Sequence, residues 1–166
     1  MKEQKPTSPL AVPNNLGEGA RDAITLAVNP LVADAFALYV KTKNFHWHLS
    51  GAHFRDYHLM FDEQANQIFA MIDILAERVR KLGGLTLHSI GQIGQLQTIK
   101  DDDDEFVEPK EMLLRLLNDN KKYSDNLRSA HQICEEHKDI ATTSLLEVFM
   151  DETERRIWFL FEASNQ

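Results

Sequence analysis

The chain has 166 residues, of which 43% are apolar and 27% charged, and its formal net charge is −8 at pH 7. This size and composition are ordinary for one soluble globular domain, and nothing indicates a second domain. The negative charge disfavours broad electrostatic binding to nucleic acid or to an anionic membrane, because such binding needs a basic surface, whereas it suits the collection of cations.

The first residues differ in character from the rest of the chain. Residues 1–19 contain Pro6, Pro9 and Pro13 together with two glycines, which predicts a flexible arm or a strap over a neighbour. No apolar core of a signal peptide precedes the remaining residues, and no stretch is expected to reach the length of a membrane span. We therefore expect a cytoplasmic protein with one domain over residues 20–166.

Four long amphipathic segments follow, and they predict an all-α protein built as a four-helix bundle. The first helix should cover about residues 20–49, where Pro30 either kinks the helix or marks its true start. The second helix should cover at least residues 56–82, a stretch without Gly or Pro that ends before Gly83 and Gly84.

The second half of the chain supplies the remaining helices. Residues 85–100 predict a short helix in the connection between the second and third long helices, and the acidic run at 101–105 predicts a solvated loop. The third helix should cover about residues 109–137, since Pro109 suits a first helical turn. The fourth should cover about residues 142–163.

The second helix carries two pairs of potential metal ligands. His58 and Asp62 are four residues apart, as are Asp73 and Glu77, so the members of each pair share a helix face. The pairs lie on a common face but roughly 16 Å apart along the axis, too far for one ion. Their spacing is symmetric about the middle of the helix. Antiparallel packing on a second copy of the chain would therefore bring unlike pairs together and create two identical sites.

A further histidine, His46, precedes this helix beside Trp47. Geometry alone leaves two interpretations of these five residues, either ligands of a metal or unrelated surface acids and packed histidines. The nearby His48 and His53 receive no role from the pattern.

Four short stretches resemble a known family: KNFHWH at 43–48, GAHF at 51–54, HLMFDE at 58–63 and DILAER at 73–78. Through them, and from about residue 20 onward, the chain resembles the Dps proteins, the mini-ferritins of the ferritin-like superfamily named for DNA protection in starved cells. Ferroxidase ligands in that family follow the order His, His, Asp, Asp, Glu with steps of twelve, four, eleven and four. The corresponding residues of this chain are His46, His58, Asp62, Asp73 and Glu77.

The resemblance implies a hollow cage of twelve subunits that acts as a ferroxidase. It would oxidise Fe(II) with hydrogen peroxide at sites shared between subunits across two-fold axes, store ferric oxide inside, and so protect the cell from oxidative damage. In such a site Asp62 and Glu77 would anchor the ion, while His46, His58 and Asp73 would complete or support it. Imidazole and carboxylate ligands suit ferrous iron, although zinc, cobalt and manganese compete for the same donors.

One position departs from the family pattern. Counting back from Trp158, the place where many Dps proteins carry a pore-lining aspartate falls on Ser144. An acidic entry route for iron is still expected, and Glu135, Asp139 and Glu147 are the alternatives for its negative field.

Two other classes of function stay open on the sequence alone. A structural protein that compacts DNA, with incidental metal binding, is opposed by the net charge and by an arm without excess lysine. A helical interaction module resembling a cytokine bundle leaves the five ligands in register unexplained. We therefore expect weak DNA binding, no membrane binding and self-association as the main partnership.

Overall fold

The computed structural model describes residues 8–165, which form five α-helices and no β-strand. The helices are α1 Glu18–His48, α2 Phe54–Lys81, α3 Ile90–Leu96, α4 Pro109–Glu136 and α5 Ile140–Ser164. The helices α1 and α2 pack as one pair, α4 and α5 pack as a second pair, and contacts of α1 with α4 and of α2 with α5 close a bundle. The four-helix bundle and the short helix in its long connection are confirmed.

One apolar core runs through the bundle and holds the four long helices together. The inward positions recur every three or four residues, so each helix buries a single stripe. Buried members include Ile24, Leu31, Leu38 and Phe45 of α1, Phe61, Ile68, Leu75 and Val79 of α2, Leu113, Leu116 and Leu127 of α4, and Leu146, Phe149 and Leu160 of α5.

The first helix resolves one alternative and corrects one expectation. It continues through Pro30 without a break, so the proline does not mark its start. By length and composition α1 is apolar enough to cross a membrane, and the expectation that no stretch reaches that length is wrong for it. Half of its most apolar window is buried inside the bundle, as is typical of a core helix.

The segment that precedes α1 packs along the end of α2. Arg80 Nη2 donates to the Leu10 carbonyl at 2.9 Å, and Asn14 Nδ2 donates to the Leu82 carbonyl at 2.6 Å. Gly83 has a φ of +82°, and a Cβ there would lie 2.9 Å from the Val12 carbonyl oxygen. The described part of the predicted arm therefore lies against its own chain, while residues 1–7 are outside the described residues.

The connection between α2 and α4 is fastened by a buried carboxylate. Asp34 of α1 is fully buried and accepts four hydrogen bonds. The donors are the Thr98 amide at 2.5 Å, the Thr98 hydroxyl at 2.9 Å, the Ile99 amide at 3.0 Å and Asn126 Nδ2 at 2.9 Å. One side chain of α1 thus ties the segment after α3 to both α1 and α4.

The acidic run at 101–105 is a loop, but it is not simply solvated. Arg115 of α4 donates to Asp102 at 2.9 Å and to Asp104 at 2.6 Å, and the Asp102 side chain is only 7% exposed. These hydrogen bonds raise the pKa of Arg115. The solvated-loop prediction is wrong for Asp102, because an arginine from the next helix compensates its charge.

The core also contains a cation. Arg156 of α5 is buried, with 1% exposure, whereas the neighbouring Ile157 is only partly buried. Its Nε donates to Asn120 Oδ1 at 2.9 Å and its Nη2 donates to Thr153 Oγ1 at 2.8 Å. Burial lowers the pKa of Arg156 to about 10, so the bundle interior holds a positive charge at neutral pH.

Candidate metal centre

His46 and His58 face each other across the turn between α1 and α2. Nδ1 of His46 lies 2.8 Å from the His58 carbonyl oxygen, and Nδ1 of His58 lies 2.9 Å from the His46 carbonyl oxygen. Their rings stack with centroids 3.7 Å apart and planes 21° from parallel. Gly51 in the connecting turn has a φ of +114°, a conformation that residues with a Cβ rarely adopt.

These reciprocal hydrogen bonds determine which ring nitrogen carries the proton. A backbone carbonyl only accepts, so Nδ1 of each histidine must donate. In a neutral imidazole the other nitrogen, Nε2, then has a free electron pair. The pair of histidines is therefore held in the tautomer in which both Nε2 atoms can bind a metal.

Asp62 is the carboxylate closest to this pair. Its Oδ1 lies 3.9 Å from Nε2 of His46. Two ligand atoms that each lie about 2.1 Å from one ion can be up to roughly 4 Å apart, so these two atoms are within reach of a shared metal. The sequence did not predict the side chain beside them, Lys43, whose Nζ donates to the same Oδ1 at 2.7 Å.

The lysine keeps Asp62 ionised. The hydrogen bond from Lys43 lowers the pKa of Asp62, and the charge of Lys43 acts in the same direction against a partial desolvation. A carboxylate must be deprotonated to bind a metal, so the surroundings prepare Asp62 as a ligand. They also place a cation on the oxygen that faces His46.

The second predicted pair lies farther along α2 and is exposed. Glu77 is ion-paired with Lys81 at 3.3 Å, one turn away. Asp73 borders an apolar groove of about 590 Å³ between α1 and α2. The groove is lined mainly by Val32, Phe36, Phe69, Ile72 and Leu87.

The structure therefore gathers three of the five predicted residues and leaves two apart. His46 lies beside both His58 and Asp62 near the turn, whereas Asp73 and Glu77 lie elsewhere on α2. Between residues 8 and 165, no three His, Cys, Asp or Glu side chains converge closely enough to hold a metal ion. A single chain thus presents incomplete sets of imidazole and carboxylate donors, which are the donor types that iron(II), manganese(II), cobalt(II) and zinc(II) accept.

The acidic residues considered for an iron entry route fall into two groups. Asp139 is 3% exposed, caps α5 through the Thr142 amide at 3.1 Å, and pairs with Arg78 at 2.8 Å. Arg78 compensates its charge, which reduces any contribution to a negative field. Glu135, Asp139 and Glu147 all border one surface cavity of about 370 Å³, and the acidic entry route stays a prediction.

The two histidines without a predicted role also lie outside the candidate centre. Nδ1 of His48 is bonded to the Asn44 carbonyl oxygen at 2.9 Å and to the Asn44 side-chain oxygen at 2.8 Å. The His53 ring lies 5.5 Å from the Tyr57 ring.

Sequence reasoning also missed an aromatic neighbour of His58. Phe54, one turn before it on α2, stacks on the His58 ring with centroids 4.9 Å apart. The only signal was the spacing of four residues, which places two side chains side by side on a helix. Spacing is likewise the signal for Lys43, which lies three residues, about one helical turn, before His46 and therefore on the same side of α1.

Comparison with known proteins places these features in a family. Residues 25–165 match the model of the ferritin-like domain. The chain is 32% identical over 146 residues to an uncharacterized low temperature-induced protein of Nostoc sp. strain PCC 7120, covering 87% of this chain and 82% of that protein. It is 30% identical over 137 residues to the DNA protection during starvation protein of Brevibacillus brevis, with 82% and 91% of the chains covered.

Solved structures give the same result for the fold. DpsC from Streptomyces coelicolor superimposes with a TM-score of 0.90 and 27% sequence identity, covering 98% of this chain and 97% of that chain.

Proposed function

The chain belongs to the Dps family of ferritin-like proteins, and from that premise we propose that it is a mini-ferritin that oxidises Fe(II) with hydrogen peroxide. The oxidation takes place at sites shared by two subunits, and the ferric product is stored inside a cage of twelve chains. Iron is the substrate and the cargo. Membership of a ferritin-like family supports iron binding and ferroxidase activity in general terms.

The observation that carries the proposal is the paired histidine arrangement beside an ionised carboxylate. Both imidazoles donate through Nδ1, so both Nε2 atoms are free electron-pair donors. Nε2 of His46 and Oδ1 of Asp62 are within reach of one ion at 3.9 Å. Packing of a core alone would not require two neighbouring imidazoles with unused nitrogens next to a carboxylate.

A second chain would complete the site. If α2 packs antiparallel on its copy, His58 and Asp62 lie opposite Asp73 of the partner subunit and Glu77 of the partner subunit. Asp62 and the partner's Glu77 then anchor the ion, while the remaining ligands complete or support the site. The absence of a full ligand set within residues 8–165 of one chain supports this division.

The chemistry requires little of the protein beyond binding and orientation. Two Fe(II) ions each give up one electron, and peroxide accepts both as its O–O bond breaks. With two protons the products are two Fe(III) and two water molecules. Reduction of peroxide by one electron would instead release a hydroxyl radical, so two-electron reduction protects the cell. A reducing cytoplasm, where iron is kept ferrous, is the compartment that suits this reaction.

Asp62→Ala tests the assignment of the site. We expect this variant to form ferric product from Fe(II) and peroxide at least about tenfold more slowly than the parent, because a ligand has been removed. The initial rate is followed by ferric absorbance, and the stored iron is measured in the soluble cage fraction. Asp125→Ala, which removes an exposed carboxylate of α4, is the matched control and should oxidise iron normally.

Two results would contradict these assignments. Oxidation and storage by Asp62→Ala at the parent rate would show that the centre lies elsewhere. A parent protein that forms no soluble ferric core with peroxide would contradict the proposed function itself.

A further inference from the structure

Three aromatic rings form one continuous stack at the start of α2. Phe54, the first residue of the helix, stacks on His58 with centroids 4.9 Å apart and planes 25° from parallel. His58 in turn stacks on His46 at 3.7 Å and 21°. The His58 ring is thus stacked with two other rings, Phe54 and His46.

The stacked rings restrict the orientation of the His58 ring plane, which its hydrogen bond alone does not. The His58 ring has one hydrogen bond, from Nδ1 to the His46 carbonyl oxygen. The second side-chain torsion of histidine has a broad energy minimum, so one such bond leaves the ring plane free to swing about it. Two stacked flat neighbours restrict that swing and fix the direction of the Nε2 electron pair.

We propose that Phe54 is a positioning residue of the metal centre, which holds the His58 ring against His46 and so aims His58 Nε2 at the ion. The inference rests on the proposed function and deepens it. Phe54 makes no bond to the metal. Its contribution is to reduce the number of orientations that His58 gives up when the ion binds.

The exposure of Phe54 separates this role from a role in the core. Its side chain is 44% exposed, and it is not among the buried residues of the core. Removal of the ring therefore leaves the packed interior intact.

The test compares two substitutions at this position with a matched substitution elsewhere. Phe54→Leu keeps an apolar side chain but removes the flat face, whereas Phe54→Tyr keeps the ring. Phe106→Leu makes the same exchange at a position that is 58% exposed and lies in the loop before α4. The probe is Co(II), whose visible d–d absorption reports the geometry of its ligands without any turnover.

In assembled cages we expect Phe54→Leu to bind Co(II) about 3- to 10-fold more weakly and with an altered d–d spectrum, since aromatic stacking contributes on this scale. Phe54→Tyr and Phe106→Leu should keep the affinity and the spectrum of the parent. The altered spectrum is the decisive readout, because a purely structural role would not change the ligand geometry at the ion.

Other outcomes overturn the inference. Parent-like affinity and spectrum for Phe54→Leu would show that His58 is oriented without the stack. Fewer assembled cages with normal Co(II) binding would show that Phe54 serves subunit contact instead. If the parent binds no Co(II), or binds Co(II) in a way that Asp62→Ala does not abolish, the proposed function fails. This result is distinct from the first two.

Discussion

Lys43 occupies the carboxylate oxygen that an incoming metal would use. Its ammonium group lies 2.7 Å from Oδ1 of Asp62, and this same oxygen is 3.9 Å from Nε2 of His46. The lysine therefore has two opposing effects. It keeps Asp62 ionised by lowering the pKa of the carboxyl group. It also competes with an incoming metal ion for the ionised carboxylate.

At neutral pH we expect the competition to dominate, because an aspartate without a partner is already ionised well below pH 7. Lys43→Gln should then bind Co(II) or Zn(II) about 2- to 5-fold more tightly than the parent, a gain in keeping with a partly exposed ion pair. Calorimetric titration of metal-free cages at pH 7 measures it.

Lys121→Gln is the matched control, since Lys121 is an exposed lysine of α4. It should leave the affinity unchanged. Weaker metal binding by Lys43→Gln would show instead that the lysine supports the site, for example by orienting Asp62.

At the residue scale, spacing and resemblance named candidate ligands but not their neighbours. The spacing predicted that His58 and Asp62 share a helix face, and the structure places His46 beside His58 and Asp62. The assignment of all five ligands stays a prediction. The contacts of Lys43 with Asp62 and of Phe54 with His58 could not be chosen beforehand from among the other contacts that the spacing allows. Spacing shows which side chains are close enough to touch, but torsion angles and the turn at Gly51 decide which of them do.

The long connection between α2 and α4 has one buried carboxylate among its anchors. Asp34 gathers four donors from the segment after α3 and from α4. Together with the packing of α3 against α1, this carboxylate holds the segment after α3 on the first helix.

Asp34→Ala should leave four donors without their acceptor. Each buried donor left unsatisfied costs about 1–3 kcal/mol, and we expect a loss of about 3–5 kcal/mol in the free energy of unfolding after partial rehydration. Urea denaturation at fixed subunit concentration measures the change.

Asp34→Asn keeps one acceptor oxygen and should fall between the parent and Asp34→Ala. Asp22→Ala, at an exposed position of α1, should be close to the parent. A stability of Asp34→Ala within about 0.5 kcal/mol of that surface control would contradict the assigned role of the carboxylate.

The helices themselves were predictable from simple signals, and the exceptions have physical causes. Gly83 and Gly84 ended α2 and Pro109 began α4, each within about two residues of the predicted boundary, which is the usual precision for helix ends. The burial of Asp102 and of Arg156 was not predictable. A periodic pattern locates apolar stripes, whereas a charged residue becomes buried only where another element supplies partners.

The charge of the whole molecule leads to an expectation about nucleic acid. A chain of net charge −8 releases few counterions from phosphate, so duplex DNA should bind weakly at physiological salt. Filter binding over a salt series, without divalent ions that could bridge the two polyanions, measures it. Tight binding that falls steeply with salt would favour the DNA-compacting alternative.

Site sharing gives a sharper prediction for the assembled molecule. His58→Ala and Glu77→Ala should each impair every site when present alone. In a mixed pair of subunits, one site loses both ligands while the other keeps its histidine and its glutamate. Random mixing of equal amounts should therefore restore about a quarter of all sites.

The measurement is made on cages refolded from a mixture of the two denatured variants, with each variant refolded alone as control. Mass spectrometry establishes that both variants are present in the mixed cages. We expect initial rates of Fe(II) oxidation well above the mean of the two controls. Mixed cages that oxidise iron no faster than this mean would exclude a site shared across the two-fold axis.

The described residues 8–165 of one chain hold an incomplete ligand set. If the site is shared as proposed, a newly synthesised subunit does not yet catalyse the reaction with peroxide. The redox function would then begin only when two chains associate. Below the concentration at which subunits associate, the rate of iron oxidation should therefore fall with the square of the subunit concentration.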